Sequence, residues 1–209
     1  LSLDQATLQP LHLFAANGHR STFGGFGWDA RILEDYDNVK RHLGGNPITA
    51  PIMKTLAGYF AVAFGRTIPQ LMLKREVQQV KVTNQGAQAF QLGPNGSILN
   101  EFGPGEILFD GETQVGCFGT IPYFGYRMKI LPFATKMPGF IHLRLMNIDP
   151  LAAAGRLRSV WSGQLQHPGL TDLLVNQAHL QFLDKTPMHL SGDFMGGIDS
   201  LNLSASSPV

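Results

Sequence analysis

The sequence lacks the residues on which several classes of protein depend. Cys117 is the only cysteine, so an intrachain disulfide is excluded and a cytoplasmic location is expected. Charged residues are scarce, at 15% of the chain against about 25% in an average soluble domain. The net charge of +1 comes from scattered basic residues, which argues against nucleic acid as a partner.

Long apolar runs are also missing. The best uncharged stretch, residues 55–65, is much shorter than the ~20 apolar residues that a membrane-spanning helix needs. The chain opens with Leu-Ser-Leu-Asp, which has neither the basic start nor the apolar run of a signal peptide, and it has no initiator Met, as expected of a fragment. These features predict a cytoplasmic protein whose only membrane contact is peripheral, at the inner membrane.

Signatures of metal binding and nucleophilic catalysis are absent as well. The seven histidines show no His-x-x-x-His and no Cys-His spacing, so a zinc site is not expected. Cys117 lies in an apolar, strand-like run without a nearby base, which favours a buried small residue over a nucleophile. No Gly-x-Ser-x-Gly elbow of the hydrolase type occurs.

Glycine and proline, by contrast, are abundant, with 24 and 13 residues. Turn signals separate many short apolar or alternating runs, and Asn-Gly at 17–18 and Asp-Gly at 110–111 are interpreted as hairpin turns. Strands are predicted over 11–16, 19–26, 71–82, 87–92, 98–102, 106–109, 113–118, 126–132, 140–147, 173–183 and 188–203. Helices are predicted over 29–43, 51–64 and 149–161. This pattern indicates a mainly β, α+β domain of the sandwich type with a few helices.

Three glycine-punctuated segments carry the functional information. The first, Gly-Gly-Phe-Gly-Trp-Asp-Ala at 24–30, contains the Gly-x-Gly-x-x-Ala pattern of dinucleotide-binding proteins. No alternation of strand and helix follows it, so the parallel sheet that a dinucleotide site requires is not expected. The second segment spans residues 119–128, and the third is Ser-Gly-Asp-Phe-Met-Gly-Gly at 191–197.

In order and spacing, these segments resemble the C-terminal half of the bacterial diacylglycerol kinase and sphingosine kinase-like lipid kinases. The resemblance runs from about residue 22 to 204, and the Gly-Gly-Asp-Gly-Thr phosphate loop of the family's N-terminal half does not occur. It implies that residues 1–209 form one domain, the β-sandwich-type C-terminal domain of the NAD kinase/diacylglycerol kinase-like fold, without the N-terminal nucleotide-binding domain.

The resemblance also implies a set of site residues. In the family, a Gly-x-Gly-Phe-Asp-Ala segment lines the lipid cleft, which implicates Gly25, Gly27 and Asp29 in substrate binding; an N-cap or a salt bridge is the structural alternative for Asp29. The second segment implicates Tyr123 and Gly125 in the same way.

The family's catalytic Asp-Gly-Glu element falls in the third segment, where Asp193 takes the place of the Asp. Phe194 then replaces the Gly and Met195 the Glu, and a role as a hairpin turn residue is the alternative for Asp193.

Cofactors and partners follow from the same resemblance. ATP and Mg²⁺ are expected in the full-length protein, with no cofactor in this fragment, and the partners are the missing nucleotide-binding domain and a diacylglycerol-like or sphingoid-like lipid. Some family members hold a structural divalent ion with an acidic pair that corresponds to Lys-Met-Pro-Gly-Phe at 136–140, where no acid is present. No metal is therefore predicted there.

The sequence thus predicts the lipid-binding half of an ATP-dependent lipid phosphotransferase, inactive without its nucleotide-binding domain. A non-catalytic lipid-binding or interaction module that has lost the kinase chemistry is the alternative, and Met195 favours it. An unrelated carbohydrate- or ligand-binding sandwich is a third possibility.

Overall fold

The computed structural model describes residues 11–43, 63–67, 69–70 and 76–206. The strands within these residues are β1 (Phe14–Ala16), β2 (His19–Ser21), β3 (Phe23–Gly27), β4 (Gln78–Asn84), β5 (Ala89–Leu92), β6 (Ile98–Phe102), β7 (Ile107–Thr113), β8 (Val115–Gly119), β9 (Ile141–Met146), β10 (Leu170–Val175), β11 (Gln177–Leu190) and β12 (Asp193–Ala205). The helices are α1 (Trp28–Leu43), α2 (Pro150–Gly155) and α3 (Leu157–Ser162), with a π-helical turn at Ala63–Thr67 and a 3₁₀ turn at Gly125–Arg127. The mainly β prediction is confirmed.

The sheet branches at its longest strand. The main path runs β2-β1-β12-β11-β3-β8-β9-β10-β5-β6, and every strand pair within the described residues is antiparallel. One end of β11, residues 188–190, pairs with β3, while residues 178–182 pair with β4. Because β4 also pairs with β7, two branches diverge from β11.

The two branches enclose the larger hydrophobic core. Val80 and Val82 of β4 belong to the same buried cluster as Leu143 and Leu145 of β9, in the other branch. Successive residues of a strand point to opposite faces, so β9 turns these leucines and Ile141 inward and His142, Arg144 and Met146 outward. Two packed branches of antiparallel sheet around one core are the arrangement of a β-sandwich.

A second buried cluster covers the outer face of β8 and β9. Val115 and Cys117 of β8 pack there with Met146 of β9. Leu131 and Leu165, from the segments that precede β9 and follow α3, close the cluster. The segment 122–134 and the helices α2 and α3 therefore form a layer over this face.

Local sequence accounts for several of these elements. The β1–β2 hairpin turns at Asn17 and Gly18, whose φ values of 47° and 87° are those of the predicted type I′ turn. Asp149 caps α2 by accepting hydrogen bonds from the amides of Leu151 and Ala152 at 2.8 and 3.3 Å. The predicted helix over 29–43 corresponds to α1.

The Asp-Gly turn predicted at 110–111 is wrong. Asp110 and Gly111 lie inside β7, where they pair with Lys81 and Val80 of β4. The chain instead changes direction at Gln114, between β7 and β8. Continuous pairing with a neighbouring strand outweighed the local turn preference of the dipeptide.

Several other elements differ from the prediction. The strand predicted over 19–26 is divided into β2 and β3, and the one predicted over 173–183 is divided between β10 and β11. Residues 126–132 do not form a strand: the segment bonds to itself, with the Phe124 amide donating to the carbonyl of Met128 and the Leu131 amide to that of Pro122. The helix predicted over 149–161 is divided into α2 and α3 at Arg156. The strand predicted over 188–203 contains the turn between β11 and β12. The helix predicted over 51–64 lies outside the described residues, except where the π-helical turn begins.

Candidate functional site

The junction between β3 and α1 places one carboxylate in a fixed position. Gly27 ends β3 with a φ of 87°, and a Cβ added there would lie 2.3 Å from the carbonyl oxygen of Gln114. The Trp28 amide donates to that same oxygen at 3.1 Å. Asp29 consequently lies in the first turn of α1, where a carboxylate suits the helix dipole.

Asp29 forms a partly buried pair with His189 of β11. His189 Nε2 lies 2.9 Å from Asp29 Oδ2, and the exposed fractions of the two side chains are 2% and 19%. His189 Nδ1 is buried and has no hydrogen-bond partner among the described residues, which favours the tautomer in which Nε2 carries the proton and donates to Asp29. Within the described residues Asp29 Oδ1 has no hydrogen-bond partner, so it can accept a hydrogen bond from a hydroxyl or ammonium group.

Two aromatic rings enclose the histidine. The centroids of Phe23 and Phe124 lie 6.4 and 6.0 Å from that of His189, and 4.7 Å from each other. These rings exclude water from the imidazole and leave Asp29 as its hydrogen-bonding neighbour. We refer to Asp29, His189, Phe23, Phe124 and Gly25 as the Asp29–His189 site.

Gly25 provides the space for this pair. A Cβ at residue 25 would lie 2.7 Å from His189 Nε2 and 3.0 Å from Asp29 Oδ2, which is closer than such atoms approach in proteins. The glycine pattern at 24–30 therefore serves close packing of β3 against the pair. The antiparallel neighbours of β3, which are β8 and β11, provide no parallel sheet for a dinucleotide.

The site lies at one end of a polar row that crosses the sheet. Consecutive strand registers pair His189 with Gly25, Gly25 with Cys117, Cys117 with Arg144 and Arg144 with Asp172. Burial raises the pKa of the Cys117 thiol well above its usual range, and the negative charge of Asp29 adds to the effect. Cys117 is therefore a protonated, unreactive part of this row, in agreement with the interpretation from the sequence.

The other end of the row is a buried charged network. Arg144 Nε and Nη2 donate to the two oxygens of Asp172 at 2.7 and 2.9 Å, and His142 Nε2 lies 2.8 Å from Asp172 Oδ1. Burial lowers the pKa of His142, which favours the neutral ring. Burial alone would raise the pKa of Asp172, but the hydrogen bonds from His142 and Arg144 outweigh it and hold that pKa below its ordinary value. Arg144 also donates to the carbonyl of Ile130 at 2.9 Å, which ties the covering segment to the sheet.

Asp193 lies apart from this site. It is exposed at the start of β12, directly after a two-residue turn in which Ser191 and Gly192 have φ values of 51° and 89°. Asp193 pairs with Leu190, which packs into the core between the two branches, whereas His189 faces the opposite side of the sheet. The register thus places Asp193 on the face away from Asp29, and no described contact joins the two carboxylates.

Tyr123 and Gly125 lie at the edge of the covering layer. Tyr123 is 49% exposed, and Gly125 opens the exposed 3₁₀ turn. The residue between them, Phe124, is the one that reaches His189. The structure therefore brings Gly25 and Asp29 together, and it leaves Tyr123 and Gly125 beside the site without a described contact to it.

The sequence analysis missed His189 and Phe124. Histidines were screened only for metal spacing, and no local signal links His189 to Asp29, since 160 positions separate them in the chain. Phe124 lies inside a segment that was singled out for its glycine and tyrosine. Only the pairing of β3 with β11 brings these residues together.

A cleft of about 200 Å³ lies elsewhere, between β7, β9 and the start of β10. Glu112, Thr113, Asn147 and Thr171 are among its polar lining residues. None of the predicted site residues lines it.

The described residues do not by themselves fit a divalent cation. They contain no group of three or more His, Cys, Asp or Glu side chains arranged to hold a metal ion, and Asp29 and Asp193 lie on different faces. No helix in the described part of the chain is long and apolar enough to cross a bilayer.

Comparison with known proteins shows similarity at the level of the fold. No protein-family model and no curated protein matches the sequence. Three solved Bacillus anthracis structures do match, one described as a diacylglycerol kinase and two as candidate diacylglycerol kinases. Their sequence identities are 10%, 13% and 12%, with TM-scores of 0.51, 0.55 and 0.51.

The extent of these matches is as informative as their identity. They cover 94–95% of this chain but only 50–55% of the other proteins, so the chain spans about half the length of the structures it matches. The chain therefore has the fold found in part of diacylglycerol kinase-like proteins.

Proposed function

We propose that this chain is the C-terminal, lipid-binding half of an ATP-dependent lipid kinase. The observation that carries the proposal is the fit of nearly the whole chain to about half of a diacylglycerol kinase-like structure. Residues 1–209 form one domain, and a separate nucleotide-binding domain supplies the ATP and Mg²⁺ sites. In this proposal, the isolated chain binds lipid but does not phosphorylate it.

The Asp29–His189 site is proposed to bind the polar end of the lipid. Asp29 offers a carboxylate oxygen in an otherwise apolar setting, and a carboxylate accepts a hydrogen bond from a lipid hydroxyl or ammonium group. His189 holds the other oxygen, so the carboxylate has one orientation before the lipid arrives. Gly25 and Gly27 contribute by allowing this packing, and Tyr123 and Gly125 are proposed to contact the lipid from the edge of the covering layer.

Asp193 is proposed as the catalytic carboxylate of the full-length protein, at a position separate from the Asp29–His189 site. In the alignment by sequence, Asp193 takes the place of the Asp in the family's Asp-Gly-Glu element. The turn geometry supports a different alignment. Asp-Gly is a preferred type I′ turn pair, and the residues in the left-handed turn positions here are Ser191 and Gly192. In this alignment Asp193 takes the place of the Glu, so an acid is present at that position. Met195 is then no longer a reason to infer that the kinase activity has been lost.

Label transfer from ATP in the full-length parent protein tests this role. With labelled ATP, Mg²⁺ and a panel of diacylglycerols, sphingoid bases and prenols, Asp193→Asn is expected to reduce transfer by about 10²–10⁴-fold. Asp199→Asn is the matched control, since Asp199 is exposed on the same strand, and it should retain activity. Equal activity of both variants would rule out a catalytic role for Asp193.

The alternative is a non-catalytic lipid-binding module. Its supporting observation is that the described residues provide a candidate lipid contact but no group of three or more His, Cys, Asp or Glu side chains that could hold a metal ion. A full-length gene without a Gly-Gly-Asp-Gly-Thr loop, encoding a protein that binds lipid but transfers no label, would decide for it. Label transfer by the isolated chain would contradict both the proposal of an inactive kinase half and the proposal of a non-catalytic module.

A further inference from the structure

Although the net charge of the chain is close to zero, one region of the sequence is basic. Between Glu112 and Asp172 the only acid is Asp149, whereas the cations are Arg127, Lys129, Lys136, Arg144, Arg156 and Arg158. Arg144 is neutralised by Asp172, and Asp149 is used in capping α2. The remaining five cations have no acid in this part of the sequence to balance them.

Helix α3 has apolar side chains in this region that are only partly buried. None of its residues is buried, although it contains Leu157 and Trp161. These two side chains, with Arg158 and Ser162, line a shallow depression that is open to solvent. Leu151 on α2 is 52% exposed.

Backbone contacts bring a further cation to the same surface. The Lys129 amide donates to the carbonyl of Trp161 at 2.9 Å, and Lys129 side-chain carbons lie 3.2 Å from where a Cβ of Gly163 would be. Lys129 therefore lies beside the end of α3. We define the basic-aromatic face as Lys129, Leu157, Arg158 and Trp161.

This combination of side chains suits one kind of partner. Tryptophan and leucine enter the boundary between lipid head groups and acyl chains, while flanking lysine and arginine are attracted to anionic lipids. Nucleic acid would use the cations but not the partly exposed side chain of Leu157. We propose that the basic-aromatic face docks the chain on the surface of a bilayer that contains anionic lipids. This inference rests on the proposed function, because the lipid substrate of such a kinase resides in a bilayer.

Vesicle sedimentation with the 209-residue chain tests the electrostatic part. We expect binding to phosphatidylcholine vesicles that contain phosphatidylglycerol, weaker binding to phosphatidylcholine alone, and loss of binding at high salt. Arg158→Gln and Lys129→Gln should each weaken binding by about five-fold. The control Lys185→Gln removes an exposed cation from β11 and should leave binding unchanged.

Fluorescence tests the apolar part. Trp28 and Trp161 are the only tryptophans, so Trp28→Phe leaves Trp161 as the sole reporter. On vesicles its emission should shift to the blue and be quenched by brominated acyl chains, and Leu157→Ser should reduce the quenching. Leu183→Ser, at a position that is 76% exposed on β11, is the control and should have no effect.

Several results would overturn the docking proposal. They are unquenched Trp161 on vesicles, equal loss of binding in the face variants and their controls, or binding to single-stranded nucleic acid but not to vesicles. A monomeric short-chain diacylglycerol separates this proposal from the proposed function. If that lipid binds and vesicles do not, docking is wrong and the lipid site stands; if vesicles bind and that lipid does not, the lipid site is wrong and docking stands.

Discussion

At the scale of single residues, Gly25 is a position where the structure leaves no room for a side chain. Gly25→Ala is expected to lower the free energy of unfolding by about 1–3 kcal/mol, because the new methyl group would press on the Asp29–His189 pair. Urea denaturation followed by circular dichroism measures the change.

Gly155→Ala is the matched control for this substitution. Nothing lies within 4 Å of a Cβ at Gly155, and the residue ends α2, so alanine there should be neutral or stabilising by up to about 1 kcal/mol. Similar effects of the two substitutions would show that the space around Gly25 is not limiting.

Local sequence shows only some of the residues that the structure brings together. Gly25 and Asp29 were singled out by the resemblance of residues 24–30 to a family motif, and the structure places them next to each other. The partner of Asp29 left no trace in local sequence, since a histidine between apolar residues of a strand reads equally well as a core residue. Ser191 and Gly192 did carry a turn signal, but it was absorbed into a strand because the apolar alternation on both sides continues through it.

At the scale of elements, the buried network between β9 and β10 is the clearest test. Arg144→Met should destabilise the protein by about 3–5 kcal/mol, because Asp172 would remain as a buried carboxylate without its main cation. The double variant Arg144→Met with Asp172→Leu should recover most of that loss, since no unpaired charge is left. Thermal unfolding of the single and double variants measures the coupling.

Arg156→Met is the control for Arg144→Met, because it removes an arginine from an exposed site. Arg156 is exposed at the junction of α2 and α3, so its replacement should change stability by less than about 0.5 kcal/mol. A double variant as unstable as Arg144→Met alone would mean that packing, rather than unpaired charge, dominates at this position.

Elements with a strong local hydrophobic periodicity were predicted well, whereas elements whose conformation depends on packing or pairing with other elements were not. The period and charge order of α1 and the turn of the β1–β2 hairpin were legible in the sequence. Residues 126–132 alternate like a strand, yet they form a covering layer because their apolar side chains meet the second core cluster. The pairing of β7 with β4 similarly overrode the Asp-Gly signal.

At the scale of the whole molecule, His142 makes stability depend on pH. Its folded-state pKa is lowered by burial from an ordinary value of 6.5, so the unfolded chain binds the proton more tightly. Stability should therefore be full above about pH 6.5 and decline as the pH falls towards the folded-state pKa, by at most about 1.4 kcal/mol per pH unit. The lowered pKa of Asp172 adds a separate loss only below its ordinary value of 3.8.

Urea denaturation at a series of pH values measures this dependence. His142→Gln should remove the decline that begins near neutrality, because glutamine does not titrate. His19→Gln, at an exposed position on β2, should retain it. An unchanged decline in His142→Gln would assign the pH dependence to another group.

The overall class of the protein was predictable, but the path of the sheet was not. Many short strands separated by turn signals indicate a sandwich, and the structure is mainly antiparallel sheet. Nothing in local sequence states that β11 has different partners at its two ends, or that β1 pairs with β12. Those pairings join residues that are between about half and nearly the whole of the chain apart, so their energies depend on the assembled core rather than on neighbouring residues.

The strand pairings of β11 and β12 determine when the sheet can form while the chain is being synthesised. β1 pairs with β12, and β3 and β4 pair with β11, so strands made early wait for partners that are synthesised much later. Until those residues leave the ribosome, Phe14, Phe26 and Val82 remain uncovered on unpaired strand edges. Strand pairing between residues far apart in the chain forms slowly. The incomplete chain is therefore expected to depend on chaperones.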